Sequence, residues 1–135
     1  MFKLLNILFV EDDAIEVMMF VRVLQKIGVN HRLIEASNGE EALAILKAKE
    51  IIPDIILLDL NMPKLNGIEF LKLVKSGEET RHIPVIIFTT SNNHRDIATC
   101  YKIGISGYII KPLKYEDYLV LVKKTLEYWS SNELL

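Results

Sequence analysis

Three consecutive carboxylates, Glu11, Asp12 and Asp13, follow directly on an apolar run, and a fourth, Asp59, closes another, Ile55 to Leu58. Acids gathered at one place repel one another and resist burial unless a cation sits between them. A hard divalent ion meets that need from oxygen ligands alone. Mg²⁺ in particular takes carboxylates, carbonyl oxygens and water, and leaves part of its shell for a phosphoryl oxygen. His31, His82 and His94 lack metal-site spacing and read as surface histidines, so zinc is a poorer fit. With its surroundings neutralised, the Asp59 carboxylate can act as a nucleophile toward phosphorus and form an acyl phosphate. Such a transfer wants a cation and hydrogen-bond donors around the equatorial phosphoryl oxygens, and Lys111 and Thr89 are the candidates.

Each of these residues also has a plainer structural reading. Asp13 and Glu16 stand at capping-box spacing for a helix that begins after Asp13. An acid closing a strand is often only the first solvated residue of a loop, and a lysine before proline is commonly a loop residue whose stem lies along the surface. Lys111 precedes Pro112, where a cis bond is available and would fix the lysine in unusual backbone geometry. A Thr after a strand often caps the next helix, but Ser91 or Asn92 can do that here and leave Thr89 free.

The elements that must position these groups come in regular alternation. Leu5 to Val10, Arg32 to Ala36, Asp54 to Leu58, Val85 to Phe88 and Gly107 to Ile110 are short apolar runs bounded by turn residues, and read as strands. Helical spacing follows Asp13, with Glu16, Phe20, Val23, Leu24 and Ile27 along one face and a stop at Gly28. Further helices are expected over Glu40 to Lys49, Ile68 to Ser76, Arg95 to Ile103 and Tyr115 to Trp129. This β-α alternation predicts an α/β, doubly wound parallel sheet with helices on both faces. Ligands bind such sheets beyond the carboxyl ends of the strands, and those ends carry Glu11-Asp12-Asp13, Asp59, Thr89 and Lys111.

The bulk numbers agree with a single domain over residues 1–135, with no repeat, linker or output domain expected. Half of the residues are apolar and a quarter charged, the balance of a globular domain. The net charge of −2 and the scattered Lys and Arg leave no basic stripe, which argues against direct nucleic-acid binding. The apolar start ends in acids without a cleavage site, and no run reaches the ~20 residues of a membrane span, so a cytoplasmic location is expected. The lone Cys100 sits in a helical stretch and reads as a small buried residue without a redox role.

Taken together, Ile7-Leu-Phe-Val-Glu-Asp-Asp13, Asp54-Ile-Ile-Leu-Leu-Asp-Leu-Asn-Met-Pro63 with Asn66-Gly67, Phe88-Thr-Thr90, and Gly107-Tyr-Ile-Ile-Lys-Pro112 resemble the response-regulator receiver domain over essentially the whole chain. The resemblance implies a CheY-like (βα)5 fold, flavodoxin-like in its strand order 2-1-3-4-5. It implies a two-component response regulator rather than an enzyme with a separate substrate, one that catalyses only its own Mg²⁺-dependent phosphorylation and dephosphorylation. Asp59 stands in the place of the phosphoacceptor, Glu11 and Asp12 in that of the acidic pair, with Asp12 the direct metal ligand and Asn61 lending its backbone carbonyl. Thr89 resembles the switch hydroxyl, Lys111 the phosphate-binding lysine, and Tyr108 the aromatic that turns inward on activation. The residue after the switch hydroxyl is usually small; here it is Thr90, whose bulk bears on access to the phosphoryl group. Thr89-Thr-Ser-Asn-Asn93 and Leu126-Glu-Tyr-Trp129 are most similar to single-domain receivers of the cyanobacterial phytochrome type. The implied partners are a histidine kinase or histidine phosphotransfer protein and a downstream protein target.

Two helices carry apolar residues beyond a core stripe. Val17, Met18 and Val21 lie away from Phe20 and Leu24 on the first, the side that in the family meets the histidine-bearing partner. On the last, Leu119, Val122, Leu126 and Trp129 form one line, expected in the core, and Tyr118, Leu121 and Tyr128 a second, a candidate surface for a homodimer or a target. Three other functions fit less well. A flavin carrier of the same fold would find its cofactor's phosphate repelled by Glu11-Asp12-Asp13, and a haloacid-dehalogenase-type phosphatase wants an acid where Asn61 stands. A receiver-like interaction module without phosphoryl turnover would not need Asp12, Asp59, Thr89 and Lys111 together.

Overall fold

The computed structural model describes residues 3–62 and 64–135; Pro63, part of the third strand's motif, lies outside the described residues together with Met1 and Phe2. Five strands, β1 (Asn6–Val10), β2 (Arg32–Ala36), β3 (Ile55–Leu58), β4 (Val85–Thr89) and β5 (Gly107–Ile110), alternate with five helices, α1 (Ala14–Ile27), α2 (Gly39–Ala48), α3 (Gly67–Ser76), α4 (His94–Ile103) and α5 (Tyr115–Ser130). The sheet is parallel throughout in the order β2-β1-β3-β4-β5. The predicted boundaries shift by a residue at most.

Successive strand residues point to opposite faces, so each strand divides its side chains between two cores. Leu8, Val10, Ile56, Leu58 and Ile87 pack with Ala42 and Leu46 of α2, Phe70, Leu71 and Val74 of α3, and Cys100 of α4. Ile7, Phe9, Ile55, Leu57, Ile86 and Phe88 face the other way, onto Phe20 and Val23 of α1 and Tyr118, Val122 and Leu126 of α5. Burying each such large side chain contributes about 1.5–3 kcal/mol. Aromatic contacts tie the second core together: Phe9 stacks on Phe20 with ring centroids 4.4 Å apart, and Phe88 lies 5.6 Å from Tyr118.

Four helices begin at Asx residues whose side chains accept backbone N–H groups: Asp13 from Ile15, Asn38 from Glu41, Asn66 from Glu69, and Asn93 from Arg95 and Asp96. Two expectations about caps change here. Asn93, not Ser91 or Asn92, caps α4. The Asp13–Glu16 box is only half present: Asp13 caps, but its own N–H is taken by Glu11 Oε2 at 3.3 Å while Glu16 turns elsewhere. The Lys111–Pro112 bond is trans, as are all peptide bonds among the described residues. Lys111 is therefore fixed by its partners and by its N–H, which donates to Thr89 O at 2.8 Å.

Side-chain placement corrects three further readings. Tyr118 is 1% exposed and belongs to the core, which removes it from the proposed second line of α5; Leu121 is half-buried, and Tyr128 and Val120 are the exposed residues. The expected core line holds in Val122 and Leu126, with Leu119 and Trp129 half-buried. On α1, Ile15 and Met18 are exposed, whereas Val17 packs against the core. His82 and His94 are on the surface as expected, but His31 is half-buried and its Nδ1 accepts the Leu5 N–H at 2.9 Å. Among the described residues no helix is long and apolar enough to cross a membrane.

Candidate functional site

The parallel register carries four strands to the same edge, and backbone hydrogen bonds extend the ladder one step past the strand ends. Glu11 N donates to Ala36 O at 3.0 Å and Asp59 N to Val10 O at 3.1 Å, so the acids leave β1 and β3 side by side. Thr89 pairs with Ile110 on β5, which sets Lys111 immediately beyond. Carboxylate oxygens of Glu11, Asp12 and Asp59 all lie within 4.8 Å of one another. Glu11 is buried, Asp59 nearly so at 9% exposure, and Asp12 exposed, a cluster open to solvent on one side. All-oxygen donors at this spacing suit a hard divalent cation.

Lys111 is the counter-charge in this structure. Its Nζ lies 2.5 Å from Glu11 Oε1 and 3.5 Å from Glu16 Oε2, and 5.4 Å from the centroid of the Phe88 ring. Burial pushes the Glu11 carboxyl up to about 7, with Lys111 pulling it down and the Asp59 charge adding to the rise. For Lys111 burial works to lower the ammonium, but the hydrogen bond and charge of Glu11, helped by Asp59 and Glu16, hold it above its ordinary value. The pair is buried, and removing either partner alone would strand a charge.

The remaining predicted residues surround Asp59. Asn61 is exposed and its N–H points at Asp59 Oδ1, 3.5 Å away. Thr89 is fully buried, and its Oγ1 accepts only a long contact from Ser91 N at 3.4 Å, which leaves the hydroxyl hydrogen free for an incoming oxygen. Tyr108 is half-buried against the first core, and its hydroxyl donates to Ser91 O at 2.8 Å, tying β5 to the loop that follows Thr89. Burial raises its phenol, the Ser91 hydrogen bond opposing. Thr90 is exposed beside these groups.

Two residues here had no site role of their own in the sequence reading. Gly67, at the start of α3, lets the helix approach the Asp59 loop: an added Cβ would fall 2.6 Å from Leu60 Cα and 2.7 Å from Asp59 O. Glu16 was read as half of a cap but borders Lys111. The available signal was its place on the first turn of the helix whose N-terminus abuts the acids.

A doubly wound α/β domain with clustered acids, a buried lysine and a buried threonine at its carboxyl edge is the architecture of an aspartate-based phosphoryl acceptor. The chain belongs to the response regulator receiver domain family, whose profile matches residues 7–123. It is 36% identical over 127 residues to the probable methanogenesis regulatory protein FilR2 of Methanothrix harundinacea, covering 91% of this chain and 82% of that one. It is 32% identical over 128 residues to the response regulator Rcp1 of Synechocystis, covering 91% and 87%. Among solved structures it resembles the phosphorylated cyanobacterial phytochrome response regulator RcpA, with a TM-score of 0.91 at 33% identity over 98% of this chain and 99% of that one. The Mn²⁺-bound form of Rcp1 matches with a TM-score of 0.89 at 31% identity over 97% and 99%. The protein is thus a response regulator of two-component signalling, not a metabolic enzyme, in a family that interacts with histidine kinases and binds Mg²⁺ or Mn²⁺ in an acidic pocket.

Proposed function

We propose that Asp59 accepts a phosphoryl group from a phosphohistidine of a histidine kinase or histidine phosphotransfer protein, with Mg²⁺ held by Glu11, Asp12, Asp59 and the backbone carbonyl of Asn61. The observation that carries this reading is the gathering of three carboxylates within 4.8 Å at the sheet edge, flanked by Lys111 and Thr89. One Asp59 oxygen forms the new O–P bond as the P–N bond to imidazole breaks, and the imidazole nitrogen keeps the electron pair and takes up a proton. The bound metal would neutralise carboxylates and phosphoryl oxygens together. Lys111 is placed to take a phosphoryl oxygen once it leaves Glu11, and the Thr89 hydroxyl to donate to another. Engaging Thr89 loosens the Thr89–Ser91 contact, and Tyr108, tied to Ser91 O, follows. Water returning to phosphorus releases phosphate and restores Asp59, with Thr90 at the opening.

Incubation with Mg²⁺ and a small phosphodonor, followed by intact-mass measurement, tests the reading. The protein gains one phosphoryl mass and Asp59→Asn gains none; a gain that survives the substitution removes Asp59 from the role. Exposed Ile15 and Met18 on α1, beside the acids, are the contact for the donor's helices. Exposed Val120 and Tyr128 on α5 are the face for a downstream target or a second copy. Light scattering with and without a phosphoryl mimic decides the last point, since a monomer in both states excludes the homodimer.

A further inference from the structure

Lys111 cannot serve Glu11 and a neighbouring dication at once. Glu11 is one of three carboxylates that crowd the site, and the lysine now neutralises it from 2.5 Å. A cation drawn in by those acids repels the ammonium and competes for the same carboxylate, so the lysine needs somewhere to go. Among the described residues one other carboxylate lies within 4 Å of its Nζ, that of Glu16, at 3.5 Å. The Glu16 side chain is only 25% exposed, and Oε2 is buried without a hydrogen-bond partner. A buried carboxylate oxygen left in that condition is costly. Among the described residues the other buried side-chain atom without a partner is the Tyr118 hydroxyl, whose phenol is raised by burial and then by the charges of Glu16 and Glu11. Glu16 Oε2 thus has spare capacity to accept a hydrogen bond from the ammonium 3.5 Å away.

We propose that Glu16 is a positioning residue for Lys111: it receives the ammonium when Glu11 turns to the metal, and so makes cation binding easier without touching the cation. The inference rests on the metal reading of Glu11, Asp12 and Asp59. Glu16 sits on α1 next to exposed Ile15, so the hand-over also links the occupancy of the site to the helix offered to the phosphodonor.

A double-mutant cycle on Mg²⁺ affinity, measured calorimetrically, tests it with wild type, Glu16→Gln, Lys111→Met and the double variant. Glu16→Gln is expected to weaken Mg²⁺ binding about fivefold while Lys111 is present, a typical coupling within one ion-pair network. In the Lys111→Met background the same change leaves the affinity as it is, and Lys111→Met alone binds at least as tightly as wild type. Equal weakening in both backgrounds reduces Glu16 to a distant charge and overturns the hand-over, as does no weakening in the first. Glu16→Asp adds a variant with unchanged net charge and shorter reach: weakened binding supports contact with Lys111, and wild-type affinity overturns it. Thermal unfolding in chelator checks that each variant is folded, and Glu16→Asp carries the cycle if Glu16→Gln is not. Failure of wild type to bind Mg²⁺ at all is a separate result, which overturns the metal site itself and this inference with it.

Discussion

Asp59 is held in place as much by a missing side chain as by any bond. The Gly67 N–H donates to Leu60 O at 3.2 Å, and the absence of a Cβ lets α3 press against the Asp59–Leu60 backbone. Gly67→Ala therefore overpacks rigid main chain, and is expected to cost about 1–3 kcal/mol and to slow phosphorylation by a small donor. Urea titration and the rate of mass gain measure both; wild-type values for both would show that the loop yields freely. At this scale the sequence was informative about chemistry and silent about partners. Asp59, Asp12, Thr89 and Lys111 could be picked out because their types and places at strand ends are unusual together. That Lys111 pairs with Glu11 and borders Glu16 could not, since both contacts join β5 to the other end of the chain and depend on how α1 settles on the sheet.

Elements were legible where periodicity is strong and less so at their ends, where single hydrogen bonds decide. The five strands and five helices follow from apolar runs, but the caps turned on which of several Asx or Ser side chains reached a free N–H, as Asn93 did for α4. His31 shows the same limit, because as an isolated histidine it read as a surface residue. It lies just before β2, and its Nδ1 accepts the Leu5 N–H at the head of β1, so the ring must be neutral to hold the two strand ends together. Burial lowers its folded-state value below the ordinary 6.5. The unfolded chain then binds a proton that the folded chain resists, so the stabilisation is present above about pH 6.5 and is lost as pH falls through the lower folded value. Urea unfolding at about pH 7.5 and 5.5 is expected to show a larger loss of stability for wild type than for His31→Asn, whose amide oxygen can accept the same bond at either pH. Equal losses would assign the pH dependence to other groups.

For the whole molecule, the sheet order is what turns scattered residues into a site, and its cost is electrostatic. A parallel 2-1-3-4-5 arrangement brings the ends of β1 and β3 together whatever they carry, and here they carry acids, Glu11 buried and Asp59 nearly so. The fold therefore accepts a local repulsion that a bound cation relieves, which makes stability and metal binding two readings of one quantity. Mg²⁺ at a hundred times its dissociation constant should add about 2.7 kcal/mol to unfolding, on the order of 10 °C in Tm for a domain of this length. Sodium chloride at matched ionic strength should do much less, because screening acts weakly on buried charge. Asp59→Asn separates the two effects: with one carboxylate gone, the metal-free variant should melt no lower than wild type, and its Mg²⁺ shift should shrink. Scanning both proteins in chelator and in Mg²⁺ supplies the four melting temperatures. A full Mg²⁺ shift in Asp59→Asn would place the cation elsewhere, and a large fall in its metal-free Tm would mean that Asp59 supports the fold rather than straining it.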